Sequence, residues 1–357
     1  MQLTINKTTI ENAIKQILPF VEKKDQTNVT SCIKLNLKDN ILTLDATDYI
    51  MGARLTITNL SNTKDGICLI KGDMLLKAIT RLRNDDIKLE VVDNNLIIKQ
   101  GRSRAKLEIT QDDFPALNLS DNMQKLDVNI NDLRSGFLSV LPAVDTNNPK
   151  VELSGAYLNI SDKKLDIAST DTKRLFVKSY DTDILDDIEI IVPKNGIVEI
   201  LKVLDDNSEI FIDDVNIMLQ NDNLMMFSKL INGKYPAYER VIPLEFKYIL
   251  ELNKSDLISA IKFVTAIEQN ITLDISKKEI KITSLDDHNP IETYIENVKL
   301  PIKEDIKIKL NSNYLLDFLG SIDTDNFELC INEIKMPFVA RSNGLICVVM
   351  PLMENER

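Results

Sequence analysis

The feature that most constrains this chain is an internal repeat of about 120 residues, each copy too short for a large domain but long enough to carry its own core. Three helical patterns begin near an Asn. They cover residues 6–18 (apolar Ile10, Ala13, Ile14, Ile17), 131–141 (Leu133, Phe137, Leu138, Leu141) and 253–267 (Leu257, Ile258, Ile261, Val264). Apolar residues at i, i+3, i+4 and i+7 line one helix face, and a polar residue in front supplies the acceptor that the first turn lacks. The starts lie 125 and 122 residues apart. A second series, 71–83, 193–204 and 311–322, keeps nearly the same step at 122 and 118 residues. Pro193 is expected in a first turn, where its missing N–H has no helical partner to lose.

Between the helices, alternating apolar and polar residues broken by turn formers predict antiparallel strands. Ile33-Lys34-Leu35-Asn36-Leu37 turns at Lys38-Asp39-Asn40 into Ile41-Leu42-Thr43-Leu44, and residues 87–92 turn at Asp93-Asn94-Asn95 into Leu96-Ile97-Ile98. Later copies are Leu165-Asp166-Ile167, Glu209-Ile210-Phe211-Ile212, Ile271-Thr272-Leu273-Asp274-Ile275 and Ile280-Lys281-Ile282. A Thr-Asp step closes a strand at Thr47-Asp48 and again at Thr170-Asp171, with Ser284-Leu285-Asp286 in the third place. Phe114-Pro115, Tyr235-Pro236 and Met350-Pro351 close the three copies. The expected class is α+β: three copies of a two-helix, antiparallel-sheet domain over 1–121, 122–243 and 244–357.

Composition narrows the chemistry. With 10 Gly and 11 Pro, the chain holds neither a G-x-G-x-x-G nor a G-x-x-x-x-G-K-[ST] loop. His288 is the sole histidine, which excludes metal sites needing two imidazoles and leaves Ser-His-Asp catalysis to that one residue. Cys32, Cys68, Cys330 and Cys347 are far apart, each among apolar neighbours, and no apolar run approaches 18 residues. A cytoplasmic protein with reduced, buried thiols, no cofactor and no membrane contact is the expectation. The net charge of −12 argues against general affinity for polyanions, yet the helical segments taken as 7–18, 71–83, 131–144, 193–204, 253–268 and 311–322 sum to +4, so strands and loops carry −16. Such segregation lets one face meet a phosphate backbone. The plainer account is that Lys and Arg favour helices.

Several strings in colinear order resemble the bacterial DNA polymerase III beta-subunit family of sliding clamps. They are Gly101-Arg102-Ser103-Arg104, Asp112-Asp113-Phe114-Pro115-Ala116-Leu117, Ser169-Thr170-Asp171-Thr172-Lys173-Arg174-Leu175, Ile191-Val192-Pro193-Lys194-Asn195-Gly196, the stretch 228–243 and Val348-Val349-Met350-Pro351. The resemblance spans essentially the whole chain. It implies the DNA clamp fold and a head-to-tail homodimeric ring, sheets outside and helices around the hole, acting as a non-catalytic processivity factor. The implied partners are double-stranded DNA without sequence preference, the DNA polymerase III catalytic subunit, the clamp loader and other clamp-motif proteins: translesion polymerases, ligase and mismatch-repair proteins.

Carried onto this chain, the resemblance assigns DNA contacts to basic positions including Lys24 and Lys194. Lys71, Lys77, Arg81 and Asn195 join them from the helix pattern, against the alternative of ordinary solvated charge. Ring closure falls to Arg102 and Arg104, two apart and on one face if their stretch is a strand, facing Glu292, Tyr294 and Glu296; the alternative is edge charge that merely blocks aggregation. A peptide pocket is implied at Leu153, Thr170, Thr172, Arg174, Leu175, Pro236, Arg240, Val241, Val348, Met350 and Leu352, residues that otherwise read as core. The chain departs from the family pattern at Thr172-Lys173, where Gly-His is usual, at Asn28-Val29-Thr30, and in the ending after Leu352, Met353-Glu354-Asn355-Glu356-Arg357. Two rival classes are a metal-dependent phosphoryl-transfer enzyme built on Asp171, Asp181, Asp183, Asp323 and Asp325, and a monomeric three-domain adaptor.

Overall fold

The computed structural model describes residues 1–24, 29–117, 122–286, 288–296 and 298–353. Helix starts follow from local capping. Asn6 accepts the Thr8 N–H at 2.9 Å ahead of α1 (Lys7–Ile17), Asn253 accepts Ser255 N–H at 2.9 Å ahead of α5 (Lys254–Val264), and Asn311 accepts Asn313 N–H at 3.0 Å ahead of α6 (Ser312–Gly320). Each cap satisfies an N–H that has no carbonyl partner within the helix. The remaining helices are α2 (Gly72–Thr80), α3 (Ile130–Val140) and α4 (Lys194–Val203).

These bounds correct several expectations. The helix predicted from Asn131 begins at Ile130, so Asn131 lies inside the first turn. Lys71 ends the strand Gly66–Lys71, and Pro193 ends the strand Ile188–Pro193 in register with Gly155. Both positions are still extended: each is the last ladder residue before its helix.

All strand pairings between named strands are antiparallel, and among the described residues they build four sheets. Contacts divide the chain into two compact units, one of residues 1–130 with 195–230, the other of 131–194 with 231–357. The division cuts through the middle repeat for a structural reason. In the first unit an eight-stranded sheet joins Gly66–Lys71, Cys32–Lys38, Ile41–Thr47 and Met51–Ile57 to Leu224–Lys229, Asn216–Gln220, Glu209–Ile212 and Gln124–Lys125. In the second, Ile188–Pro193, Gly155–Ser161, Lys164–Thr170 and Arg174–Asp181 join Leu345–Val349, Phe338–Ser342, Asn326–Ile331 and Tyr248–Asn253. Each sheet therefore zips two consecutive repeats together along one central strand pair, here called the seam. A five-stranded sheet completes the first unit and a four-stranded sheet the second.

Repetition extends to turn chemistry. The hairpin turns Asp39–Asn40 and Asp162–Lys163 both take positive φ at the two central residues, 52° and 63° in the first and 51° and 60° in the second. That is the twist two-residue hairpins prefer. The cores are aliphatic: Ile10, Ile14 and Ile17 of α1, and Leu133, Phe137 and Val140 of α3, are fully buried. All four cysteines are buried and unpaired, and burial pushes the Cys68 thiol up to about 12. Among the described residues no helix is long and apolar enough to cross a membrane.

A candidate peptide cleft over the second seam

The Thr-Asp steps fold into one device used twice. In the second unit the Thr170 hydroxyl donates to the Arg174 carbonyl at 2.6 Å and accepts the Thr172 N–H at 3.0 Å, while Asp171 Oδ1 accepts the N–H groups of Lys173 and Arg174 at 3.0 and 2.9 Å. In the first, Thr47 donates to the Met51 carbonyl at 2.7 Å and accepts Tyr49 N–H at 3.0 Å, and Asp48 Oδ1 accepts Ile50 and Met51 N–H at 3.0 and 2.7 Å. Asp and Thr satisfy the backbone of a tight turn here, as short polar side chains do. Asp171, one anchor of the phosphoryl-transfer expectation, is committed to this turn and to Arg174. Among the described residues no three His, Cys, Asp or Glu side chains gather so as to hold a metal ion.

The second turn forms one wall of a cleft of about 590 Å³. Ten of the eleven expected pocket residues line it: Leu153, Thr170, Thr172, Arg174, Leu175, Pro236, Arg240, Val241, Val348 and Met350. The eleventh, Leu352, does not; its N–H donates to the Lys309 carbonyl at 2.8 Å. Residues 354–357, the end of the C-terminal departure, and Asn28 lie outside the described residues. The floor is apolar and buried, with Leu153, Leu175, Val348 and Tyr238 all under 5% exposed. The rim is open, and Val241 and Met350 are each about half exposed. Beneath the floor Tyr157 and Tyr235 stack at 4.8 Å with Tyr238 edge-on to both. Burial raises the Tyr238 hydroxyl's pKa, and that hydroxyl lies 3.3 Å from Asp166 Oδ2, to which it donates.

Arg174 fixes the wall. Its guanidinium, on a side chain 9% exposed, donates to Asp171 Oδ2 at 3.0 Å, to Asp317 Oδ2 on α6 at 2.5 Å and to the Pro142 carbonyl at 2.6 Å, and lies 4.7 Å from the centre of the Tyr314 ring. A planar fork suits such divergent acceptors. The sequence pattern offers no sign of Asp317, Tyr314 or Pro142 as partners, because they come from segments 32 to 143 residues away. Among the described residues, four basic ones, Lys150, Lys173, Arg174 and Arg240, line the cleft and no acidic one does.

The other expected sites are distributed as follows. Lys24 is exposed after α1, its N–H donating to Glu22 Oε1 at 2.6 Å, and Lys77 and Arg81 are exposed on and just beyond α2. Lys71 is half-buried at its strand end. Asn195 is exposed, but Lys194 donates its ammonium to the Val144 carbonyl at 3.0 Å. Arg104 is exposed on Ser103–Glu108, the outermost strand of the five-stranded sheet. Arg102, expected on the same strand face, instead belongs to the preceding two-residue turn with Gly101, whose φ of 55° reverses the chain there. Glu292, Tyr294 and Glu296 do share the exposed face of an outermost strand, Glu292–Glu296 of the four-stranded sheet. Lys281 pairs with Glu292 at 2.6 Å and holds its carboxyl below the usual range. Beside that strand packs α5, which leaves Phe263 60% exposed, and Ile267 beyond it is 64% exposed.

Repeated two-helix, antiparallel-sheet units zipped at their seams, with an apolar peptide-sized cleft over one seam, define the sliding-clamp class. Family models for the N-terminal, central and C-terminal domains of the DNA polymerase III beta subunit match residues 1–118, 127–237 and 239–351. The chain belongs to the DNA polymerase III beta-subunit family, the beta sliding clamps, which are processivity factors and not enzymes. A Helicobacter pylori beta sliding clamp is 30% identical over 351 residues, spanning 95% of this chain and 93% of that one. A crystal structure of the Helicobacter pylori beta clamp bound to a DNA ligase peptide superposes with a TM-score of 0.93 at 29% identity, covering 99% of this chain and all of that one. The DNA polymerase III subunit beta from Pseudomonas aeruginosa shares the fold, with a TM-score of 0.89 at 23% identity, covering 99% of this chain and 100% of that one.

Proposed function

We propose that two copies of this chain close head to tail into a cytoplasmic ring that encircles duplex DNA and tethers polymerase, clamp loader and repair proteins through the cleft at Arg174. The cleft carries the reading. Its buried apolar floor accepts anchoring side chains such as Leu or an aromatic, and its cationic lining suits an extended peptide with acidic or neutral flanks. A DNA ligase peptide is bound by the Helicobacter pylori relative. Enclosure keeps the ring on DNA while nonspecific phosphate contacts let it slide, and tethering makes polymerase rebinding intramolecular.

Lys24, Lys77 and Arg81 carry most of the DNA contact in this reading. Lys71 and Asn195 add to it, and Lys194 reaches phosphate only by releasing Val144. Ring closure pairs the strand bearing Arg104, with Arg102 at its turn, against the strand bearing Glu292 and Glu296 of a second copy. Two different edges make a heterologous contact, and opposite charge selects it over self-pairing. Phe263 and Ile267 supply the apolar centre that the sequence pattern did not single out, since both also fit a helical core stripe. The domains are taken as 1–121, 122–243 and 244–357.

Sedimentation equilibrium from nanomolar to micromolar protein tests the ring. The expected mass is twice the 40.5 kDa of one chain, lowered toward one chain by Arg104→Glu. The dimer should stay on nicked circular DNA and run off linear DNA of the same length. A mass of one chain throughout, with equal loss from both DNAs, overturns the ring.

A further inference from the structure

The two seams are built alike, residue against residue, except where the cleft opens. In the second unit Leu175 pairs with Val348 across the seam, and the Met350 N–H donates to the Lys173 carbonyl at 2.9 Å. In the first, the pair at the same place is Gly52 with Phe227, and the Lys229 N–H donates to the Ile50 carbonyl at the same 2.9 Å. The steps from Gly52 to Leu175 and from Phe227 to Val348 are 123 and 121 residues, the steps of the repeat itself. The Thr47 turn forms the same four backbone contacts as the Thr170 turn. Among the described residues, turn and seam are therefore in place at the first seam for a second cleft.

The side chains close it. A Cβ at Gly52 would sit 2.5 Å from Phe227 Cε1, 2.8 Å from its Cζ and 3.1 Å from Leu117 Cδ2, so the ring lies directly on the glycine backbone where Leu175 floors the open cleft. Phe227 is only 7% exposed. Glycine permits the close approach, and a ring fills what Val348 leaves open. Leu117 stands where Tyr238 stands, 121 residues on.

We infer that the Phe227–Gly52 pair plugs a latent peptide cleft at the first seam and so limits each chain to one peptide site. The inference rests on the Arg174 cleft being the peptide site. Specificity of this kind acts by exclusion: one seam is kept from competing for partners.

The test is calorimetric titration of full-length protein with one synthetic extended peptide carrying adjacent Leu and Phe anchors. Native protein is expected to bind one peptide per chain, and Val348→Phe to lose that site by more than tenfold in affinity. Phe227→Ala is expected to bind two per chain, the second at least tenfold weaker than the first. Phe227→Val, which copies the residue at the open seam, repeats the test with less lost packing should the alanine variant melt early. One peptide per chain in a Phe227 variant with a native-like thermal transition overturns the inference. Failure of the native protein to bind at all instead refutes the peptide reading of the Arg174 cleft.

Discussion

The first and second seams share strand order, turn hydrogen bonds and register, yet one is filled and the other open. At equivalent positions of the two seams stand Gly52 against Leu175, Phe227 against Val348, and Met51 against Arg174. Met51 is 6% exposed and simply packs, whereas Arg174 draws Asp171, Asp317 and the Pro142 carbonyl around itself and stiffens a wall. The backbone of a repeat is thus neutral about function. A site appears where side chains leave a gap and a charged fork holds its edge.

The sharpest way to break the contrast is to exchange the pairs. Leu175→Gly with Val348→Phe should turn the open seam into a closed one and cost on the order of 100-fold in peptide affinity, since anchor pockets of this kind carry about 2 kcal/mol or more. Fluorescence anisotropy with a labelled peptide reads it. Unchanged affinity would mean that the floor is not where the anchor sits.

The next effect is on stability. Arg174→Met strands two carboxylates and a carbonyl, and urea denaturation should show a loss of about 2 kcal/mol; Asp317, 38% exposed, keeps enough water to hold the cost below that of a fully buried pair. Met51→Leu at the equivalent place should cost less than about 1.5 kcal/mol. Equal losses at the two seams would show that Arg174 only packs.

Smaller still is the strain at the turns. Thr172 and Tyr49 occupy equivalent positions with φ of 74° and 69°, a region where a side chain costs about 1 kcal/mol. Thr172→Gly and Tyr49→Gly should each raise stability by about that amount in urea denaturation, offset in part by the freer unfolded chain. A loss on either substitution would show that the side chain earns its strain by packing.

How much of this was legible in sequence depended on range. The helices, hairpins and Thr-Asp turns are set by residues within about four positions of each other, and periodicity with capping chemistry exposes them. The repeat is visible because those local patterns recur. Arg102 lies one residue outside the strand, in a turn that periodicity cannot see. Ten cleft residues were found only through resemblance to a family, because Leu153, Leu175 and Val348 look like any core strand. Asp317 and Tyr314 escaped altogether: nothing in α6 distinguishes an Asp aimed at a distant Arg from one aimed at water. The plug was equally silent, since Gly52 and Phe227 are 175 residues apart and meaningful only as a pair.

The last asymmetry lies in the helices beneath the seams and concerns acid. In α1, Glu11 is 7% exposed and bonded to Lys7 and, at 2.7 Å, to Lys15, and these two ammonium groups lower its pKa from 4.5 to about 2. The equivalent position of α3, 123 residues on, is Arg134, so the second unit has no counterpart carboxylate there. Because the folded pKa lies below the unfolded one, Glu11 binds its proton more readily when the chain is unfolded. Its contribution is complete above pH 4.5 and is lost as pH falls toward about 2. Amide hydrogen exchange followed segment by segment between pH 5 and pH 2.5 should therefore show α1 losing protection before α3, after correction for the intrinsic rate. Glu11→Gln should flatten that difference, lowering protection of α1 at pH 5 while leaving it little changed at pH 2.5. Parallel loss in both helices, unaltered by the substitution, would place the acid sensitivity of the first unit elsewhere and leave the two seams equally supported from below.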